Sequence, residues 1–218
     1  MKYYTLITSR KESIIGKYPQ VIGDNRPREW FYPPLNEIIR YDNFLNFDNY
    51  FDIIVDDDAI LTDIIERVAV SWGMIINEKL KFIISELNIP PHRFYPINVK
   101  YREENFQYYW FHFYDNIFKY IDLESSKFEI YYTSNFEILK TLSITSESFI
   151  RDIQNSFNFE KNMRLKNLDF TESFPKYDLW LNNVWGFGNI ISEKLVKIFE
   201  YNKITGYEIN DCKYLKYV

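Results

Sequence analysis

Residues 75–80 read Ile-Ile-Asn-Glu-Lys-Leu, and residues 190–195 read Ile-Ile-Ser-Glu-Lys-Leu. Each stretch follows a Trp-Gly pair, which begins at Trp72 in the first copy and at Trp185 in the second. An alignment on the Trp-Gly pairs leaves two extra residues after Trp-Gly in the second copy. The match continues weakly into the residues beyond each helix. The repeat therefore predicts two similar units, each made of an apolar lead-in, a helix, a turn and a strand.

The predicted helices begin at residues suited to that position. Asn77 and Ser192 can accept hydrogen bonds from the free amides of the first turn, and a glutamate follows each of them, where the helix dipole favours negative charge. The apolar side chains after each cap recur with helical spacing. We expect the helices to bury four of them against a sheet, with Trp72 and Trp185 at the helix starts: Leu80, Ile83, Leu195 and Ile198.

The composition restricts the class of protein. The chain has 218 residues, of which 46% are hydrophobic, which suits one domain with a core. It has no apolar run near the ~20 residues that span a bilayer, no signal-peptide layout and one cysteine. A cytoplasmic location is the simplest expectation. The net charge is −5, and the basic residues do not cluster. We therefore expect neither a nucleic acid nor a membrane as partner.

The order of elements predicts an α+β fold with a mainly antiparallel sheet and a few packed helices. We expect one domain over residues 1–218, with an irregular, β-rich segment at 1–55 and a core at 56–212. Residues 3–8 are expected to form an edge strand, and residues 59–70 a helix.

Aromatic residues make up 20% of the chain and are dense between residues 106 and 122. This region predicts at least one strand, because such side chains favour a pleated surface. The high content fits the codon bias of an A+T-rich genome, and it also fits a tyrosine-rich recognition surface.

The acidic residues have two structural interpretations. Asp56-Asp57-Asp58 follows a predicted strand and could bind a divalent metal, or it could cap the helix expected from Ala59. No glutamate has lysine two residues later, as a familiar type of metal-dependent nuclease would require. Capping is the preferred interpretation, and we expect no catalytic residues, cofactor or metal.

The same acidic strip is a candidate surface for a protein partner, together with the aromatic strand. The residues expected to bind a partner are Asp52, Asp56, Asp57, Asp58, Tyr108, Trp110 and Tyr114. An acidic, aromatic surface would suit a toxin with a basic cleft, such as a nuclease, because charge complementarity speeds association.

Three stretches carry a resemblance to a known family: residues 75–80, residues 108–128 with Tyr108-Tyr109 and Asp122, and residues 190–207 with Thr205-Gly206. Together they resemble immunity protein family eleven of bacterial polymorphic toxin systems, over roughly residues 70–210. The resemblance implies a cytoplasmic inhibitor that binds and neutralises a cognate toxin and has no enzymatic activity. The alternatives are a carboxylate-dependent enzyme of unrecognised type and a structural or interaction module of a secretion system.

Overall fold

The computed structural model describes residues 1–25, 44, 51–66, 73–184 and 188–215. Their strands lie in three sheets and are mostly antiparallel, as the α+β prediction requires. The strands are β1 (Tyr3–Thr8), β2 (Val21–Asp24), β3 (Asp52–Val55), β4 (Ile64–Ile65), β5 (Met74–Asn77), β6 (His92–Tyr101), β7 (Glu104–Phe113), β8 (Lys127–Tyr132), β9 (Ile138–Ser143), β10 (Lys161–Asn167), β11 (Leu179–Asn182), β12 (Gly188–Ser192) and β13 (Tyr207–Asp211).

The helices in these ranges are short. They are α1 (Glu12–Ile15), α2 (Glu78–Ser85), α3 (Glu147–Asn155) and α4 (Glu193–Tyr201), with a 3-10 helix at Ile117–Tyr120. None of the helices in the described part of the chain has both the length and the apolar character needed to cross a bilayer.

The predicted repeat is confirmed as two β-α-β units with the same topology. In the first unit, α2 connects β5 to β6, and β7 lies between these two strands, antiparallel to both. In the second unit, α4 connects β12 to β13, and β1 lies between them in the same way. A fourth strand flanks each unit, so the order β4-β5-β7-β6 corresponds to β11-β12-β1-β13.

The two units also share their register. Tyr108 pairs with Asn77 in the first unit, and Tyr3 pairs with Ser192 in the second. A constant offset of 115 residues relates the remaining elements, since Asp63, Asn77 and Phe94 correspond to Asp178, Ser192 and Ile209. The two-residue insertion suggested by the Trp-Gly pairs is therefore wrong, because Gly73 corresponds to Gly188.

The central strand of the second unit comes from the start of the chain. Tyr3-Tyr4-Thr5-Leu6 occupies the place that Tyr108-Tyr109-Trp110-Phe111 occupies in the first unit. The prediction that residues 3–8 form an edge strand is therefore wrong. Both edges of β1 are paired with strands more than 180 residues away in the chain, and local sequence carries no sign of such pairing.

One hydrophobic core joins the two units. Leu80 and Leu195 are fully buried in it, as expected. Ile83 and Ile198 are only partly buried and pack against it, while their neighbours Ile84 and Phe199 are buried. Trp72 and Trp185, expected at the helix starts, lie outside the described residues.

A second core lies on the opposite face of the four-stranded sheet. The three-stranded sheet β10-β8-β9 faces Tyr3, Trp180 and Ile190 through its inward side chains, which include Phe128 and Met163. This sheet belongs to the segment between β7 and β11, and the described residues between β1 and β4 form no such sheet.

A helix was expected at residues 59–70. Residues 59–66, which the structure describes, are not helical, so the prediction is wrong there. Ala59 is buried, and its amide donates to Asp56 O (3.0 Å), which closes a turn. Ile64 and Ile65 form β4, because they pair with Ile76 and Ile75 of β5. Tertiary pairing thus overrides the local capping signal.

Candidate partner-binding surface

Two buried aspartates hold the repeat units together and occupy equivalent positions. Asp63 accepts hydrogen bonds from Asn77 Nδ2 (2.8 Å) and from the amide and hydroxyl of Thr205 (2.8 and 2.9 Å). Thr205 follows the helix of the other unit, so this carboxylate connects the two. Lys79 Nζ also lies 3.6 Å from Asp63 Oδ1.

Asp178 repeats this arrangement from the second unit. It accepts from Ser192 Oγ (2.9 Å), from Lys194 Nζ (2.9 Å) and from the amide of Asn88 (3.2 Å), which follows the helix of the first unit. Asn77 and Ser192 also cap their helices as predicted, since each accepts from the amide of the residue three positions later. These carboxylates are therefore structural parts of the scaffold.

The sequence interpretation missed both aspartates, although a signal was present. Asp63 and Asp178 each precede an apolar pair and stand 115 residues apart. The same offset relates the two Ile-Ile-x-Glu-Lys-Leu stretches. An alignment of the two copies without a gap places the aspartates at equivalent positions.

The acidic strip contains several ion pairs. Asp52 contacts Lys100 (2.7 Å), and Asp56 contacts Lys17 (2.9 Å). The hydrogen bond from Lys17, assisted by the amide of Asp58, holds the pKa of Asp56 below its ordinary value. The strip is thus partly neutralised.

The two remaining aspartates of the strip are exposed. Asp57 Oδ1 accepts from the amide of Arg102 (3.2 Å), whereas Asp58 is 3.4 Å from Lys17. Asp52 begins β3, and the other three aspartates follow that strand at the surface. The role of the strip in binding stays a prediction. Its carboxylates do not meet as a metal site, since within the described ranges no three potential ligand side chains come together.

Burial corrects the expectation for the aromatic strand. Tyr108 and Trp110 are 4% and 2% exposed, because β7 is a central strand of the six-stranded sheet. Tyr108 Oη donates to Thr62 O (2.7 Å), just as Tyr3 Oη donates to Tyr177 O in the second unit (3.0 Å). Tyr108 and Trp110 therefore belong to the core in this structure.

Tyr114, the third aromatic residue predicted to bind a partner, lies just beyond the end of β7. It is half-buried, and its amide donates to Pro91 O (3.1 Å). Its role in binding stays a prediction.

A cleft of about 400 Å³ lies between the units, beside the end of β1 and the starts of β5 and β12. Its polar groups include Arg10, Glu66 and Asn189. Glu66 accepts from the amide of Gln20 (3.1 Å), and Ser9 at the rim donates to Glu208 (2.9 Å). The carboxylate of Glu208 is in turn paired with Lys11 Nζ (2.8 Å), which lowers its pKa.

The three-stranded sheet ends in an exposed apolar surface. We define the distal surface as four exposed apolar side chains, Phe136, Ile138, Leu139 and Phe159, together with the neighbouring Lys140. Phe136 is 64% exposed and Phe159 is fully exposed. Thr133 brings their loops to the same end of the sheet, because its amide donates to Glu160 O (2.9 Å) and its hydroxyl to Phe159 O (2.8 Å).

The conformation of Phe136 is unusual for its side chain. Its φ is 59°, in the left-handed region where glycine and asparagine are the ordinary residues. The ring stacks on Tyr131 with 5.8 Å between centroids. A large apolar side chain exposed at a strained backbone position gains little stability from burial.

The outward face of the same sheet is polar and basic beside this surface. Glu129 accepts from Arg164 (2.9 Å) and lies 3.3 Å from Lys166. Burial would raise the pKa of Glu129, but the bonds from the two cations outweigh it and lower that pKa. Glu129 is thus fully engaged, while Lys127 is exposed on the same face.

The chain matches no protein-family model and no curated protein in the comparisons made with its sequence. The resemblance to immunity protein family eleven therefore stays a prediction.

Proposed function

We propose that this chain is a toxin-immunity protein, which binds a cognate bacterial toxin and neutralises it without modifying it. The observation that carries the proposal is the distal surface, where exposed aromatic and aliphatic side chains stand together on a sheet of their own. Contiguous exposed apolar groups mark protein-binding sites more often than solitary ones do. Aromatic anchors also contribute much of the energy of protein interfaces.

The distribution of charged groups supports a binding role in a second way. The buried carboxylates that connect the units, Asp63 and Asp178, are satisfied by backbone amides, caps and lysines. Asp115 is likewise held by Lys119 (2.6 Å), Tyr120 (2.9 Å) and Tyr177 (2.8 Å). Each of these groups has a structural task, whereas the side chains of the distal surface are exposed and add little to the core.

The test is co-expression with the polypeptide encoded beside this chain's gene. We expect rescue of growth, and a complex of fixed stoichiometry when the two proteins are purified together. The toxin should regain activity when the complex is dissociated, because binding leaves it chemically unchanged. Rescue by catalytic amounts of this chain would contradict the proposal, as would failure of the two proteins to associate.

A further inference from the structure

We infer that β9 receives an extended, carboxylate-bearing strand of the partner along its outer edge. This inference rests on the proposed function and specifies the site and the mode of binding. Among the described residues, β9 pairs with β8 alone, so its other edge presents unpaired backbone groups. Such an edge is a template for an added strand.

The geometry of β9 limits where the added strand can pair. From Lys140 to Ser143 the strand keeps a continuous register with β8. The register then shifts, so that Tyr131 pairs with Ile138 and Leu139 is left as the extra residue of a bulge. Bulges commonly redirect a side chain at the edge of a sheet. The added strand would pair with residues 140–143, and Leu139 would contact its side chains together with Phe136 and Phe159.

The exposure of β9 supports the same conclusion. Five of its six residues are exposed, and Leu142 is the exception. A strand with both faces and one edge in solvent gains from a partner that covers it. Two of the exposed side chains, Ile138 and Leu139, are large and apolar.

The charges around β9 indicate which kind of strand would bind there. Lys140 is the one charged side chain within β9. Lys127 lies opposite Ser143, and Lys166 Nζ lies 3.4 Å from Thr141 Oγ1. The carboxylate of Glu129 engages Arg164 and Lys166, and Glu137, just before β9, accepts from Asn135 Nδ2. Lys127 and Lys140 therefore supply the charge that an added strand would meet. A partner strand with aspartate or glutamate complements this edge.

A second copy of the chain is a poorer occupant. Antiparallel pairing of two β9 strands near their centres would place the two Lys140 side chains opposite or diagonal to each other, and like charges at such positions are destabilising. A lysine and a bulge on an edge strand are also devices that prevent self-association. The occupant is therefore a foreign strand.

The first experiment measures hydrogen–deuterium exchange of this chain alone and in complex with the neighbouring gene's product. We expect slower exchange at amides within residues 140–143 on binding. A complex that forms without such protection overturns the inference and leaves the proposed function standing, whereas failure to form any complex counts against the proposed function itself.

The second experiment compares two charge reversals on opposite edges of the same sheet. Lys140→Glu should slow association about tenfold at low salt, with a smaller effect at high salt, because exposed charges are screened. Lys161→Glu on β10 is the matched control and should leave association unchanged. Equal effects of the two changes would contradict strand addition at β9. Concentration-dependent dimers of this chain alone, detected by sedimentation, would instead assign the edge to a second copy.

Discussion

The duplicated units and the three-stranded sheet differ in the pairing of their strand edges and in the exposure of their side chains. In the units, Asp63 and Asp178 each bind the loop after the other unit's helix, and the central strands β7 and β1 are paired on both sides. In the three-stranded sheet, β9 has a free edge among the described residues, and Phe136 and Phe159 point into solvent. Under the proposed function, the duplicated part is a scaffold, and the partner binds to the three-stranded sheet outside it.

The largest effect is expected from truncating equivalent leucines. Leu80→Ala and Leu195→Ala should each lower the free energy of unfolding by about 2–5 kcal/mol, since both side chains are fully buried in one core. Denaturant titration measures this, with the exposed Phe82→Ala as the control, expected within about 0.5 kcal/mol of wild type. A large loss at one leucine and none at the other would break the equivalence of the units.

The second prediction concerns the aspartates between the units. Asp63→Ala and Asp178→Ala should each lower the free energy of unfolding by about 3 kcal/mol, because each leaves one backbone amide and one cap side chain without an acceptor. Asp58→Ala is the control on an exposed carboxylate and should change little. Chemical denaturation at pH 7 provides the measurement. A cost at Asp58 equal to that at Asp178 would remove the distinction between scaffold and surface.

A smaller effect concerns Glu129 in the three-stranded sheet. Its pKa is lowered in the folded protein, so its ionised form stabilises the fold above its ordinary pKa of 4.5, and this contribution is lost as the pH falls through the lower, folded value. Stability measured from pH 6 to pH 2 should therefore fall less steeply below about pH 4.5 in Glu129→Gln than in wild type. Identical slopes for the two proteins would show that the cations do not stabilise the carboxylate.

The smallest effect on stability is expected at Phe136. Phe136→Asn should leave the free energy of unfolding unchanged or raise it by up to about 1 kcal/mol, because asparagine tolerates a φ of 59° better than phenylalanine does. The same change should weaken binding of the partner. Thermal unfolding and a binding titration on one preparation measure both. A loss of stability with full binding would make Phe136 a structural residue.

Local signals in the sequence account for much of the scaffold. The helix starts at Asn77 and Ser192 were predictable because their caps act over three residues. The strands before them, β5 and β12, were not recognised, since a short apolar run fits a strand or a helix equally well. The central place of β1 depends on pairing with distant strands, which no local pattern reveals.

The candidate site was less predictable than the fold. Tyr108 and Trp110 form part of an aromatic strand whose burial follows from its central position in the sheet. The pairing of Asp56 with Lys17 depends on chain segments that meet only in the folded protein. The distal surface was hidden for a similar reason, because Phe136 and Phe159 resemble core residues in sequence but lie in the connections before β9 and β10.

The most direct test of a duplicated scaffold with binding elsewhere is one titration of the neighbouring toxin against two double variants. Phe136→Asn with Phe159→Ser removes two exposed aromatic rings from the distal surface. Phe82→Ser with Tyr201→Ser removes two from the helices of the duplicated units, where these side chains are 73% and 87% exposed. We expect the dissociation constant to rise about 100-fold or more for the first variant and to stay unchanged for the second. Loss of binding in the second variant, with full binding in the first, would contradict the account.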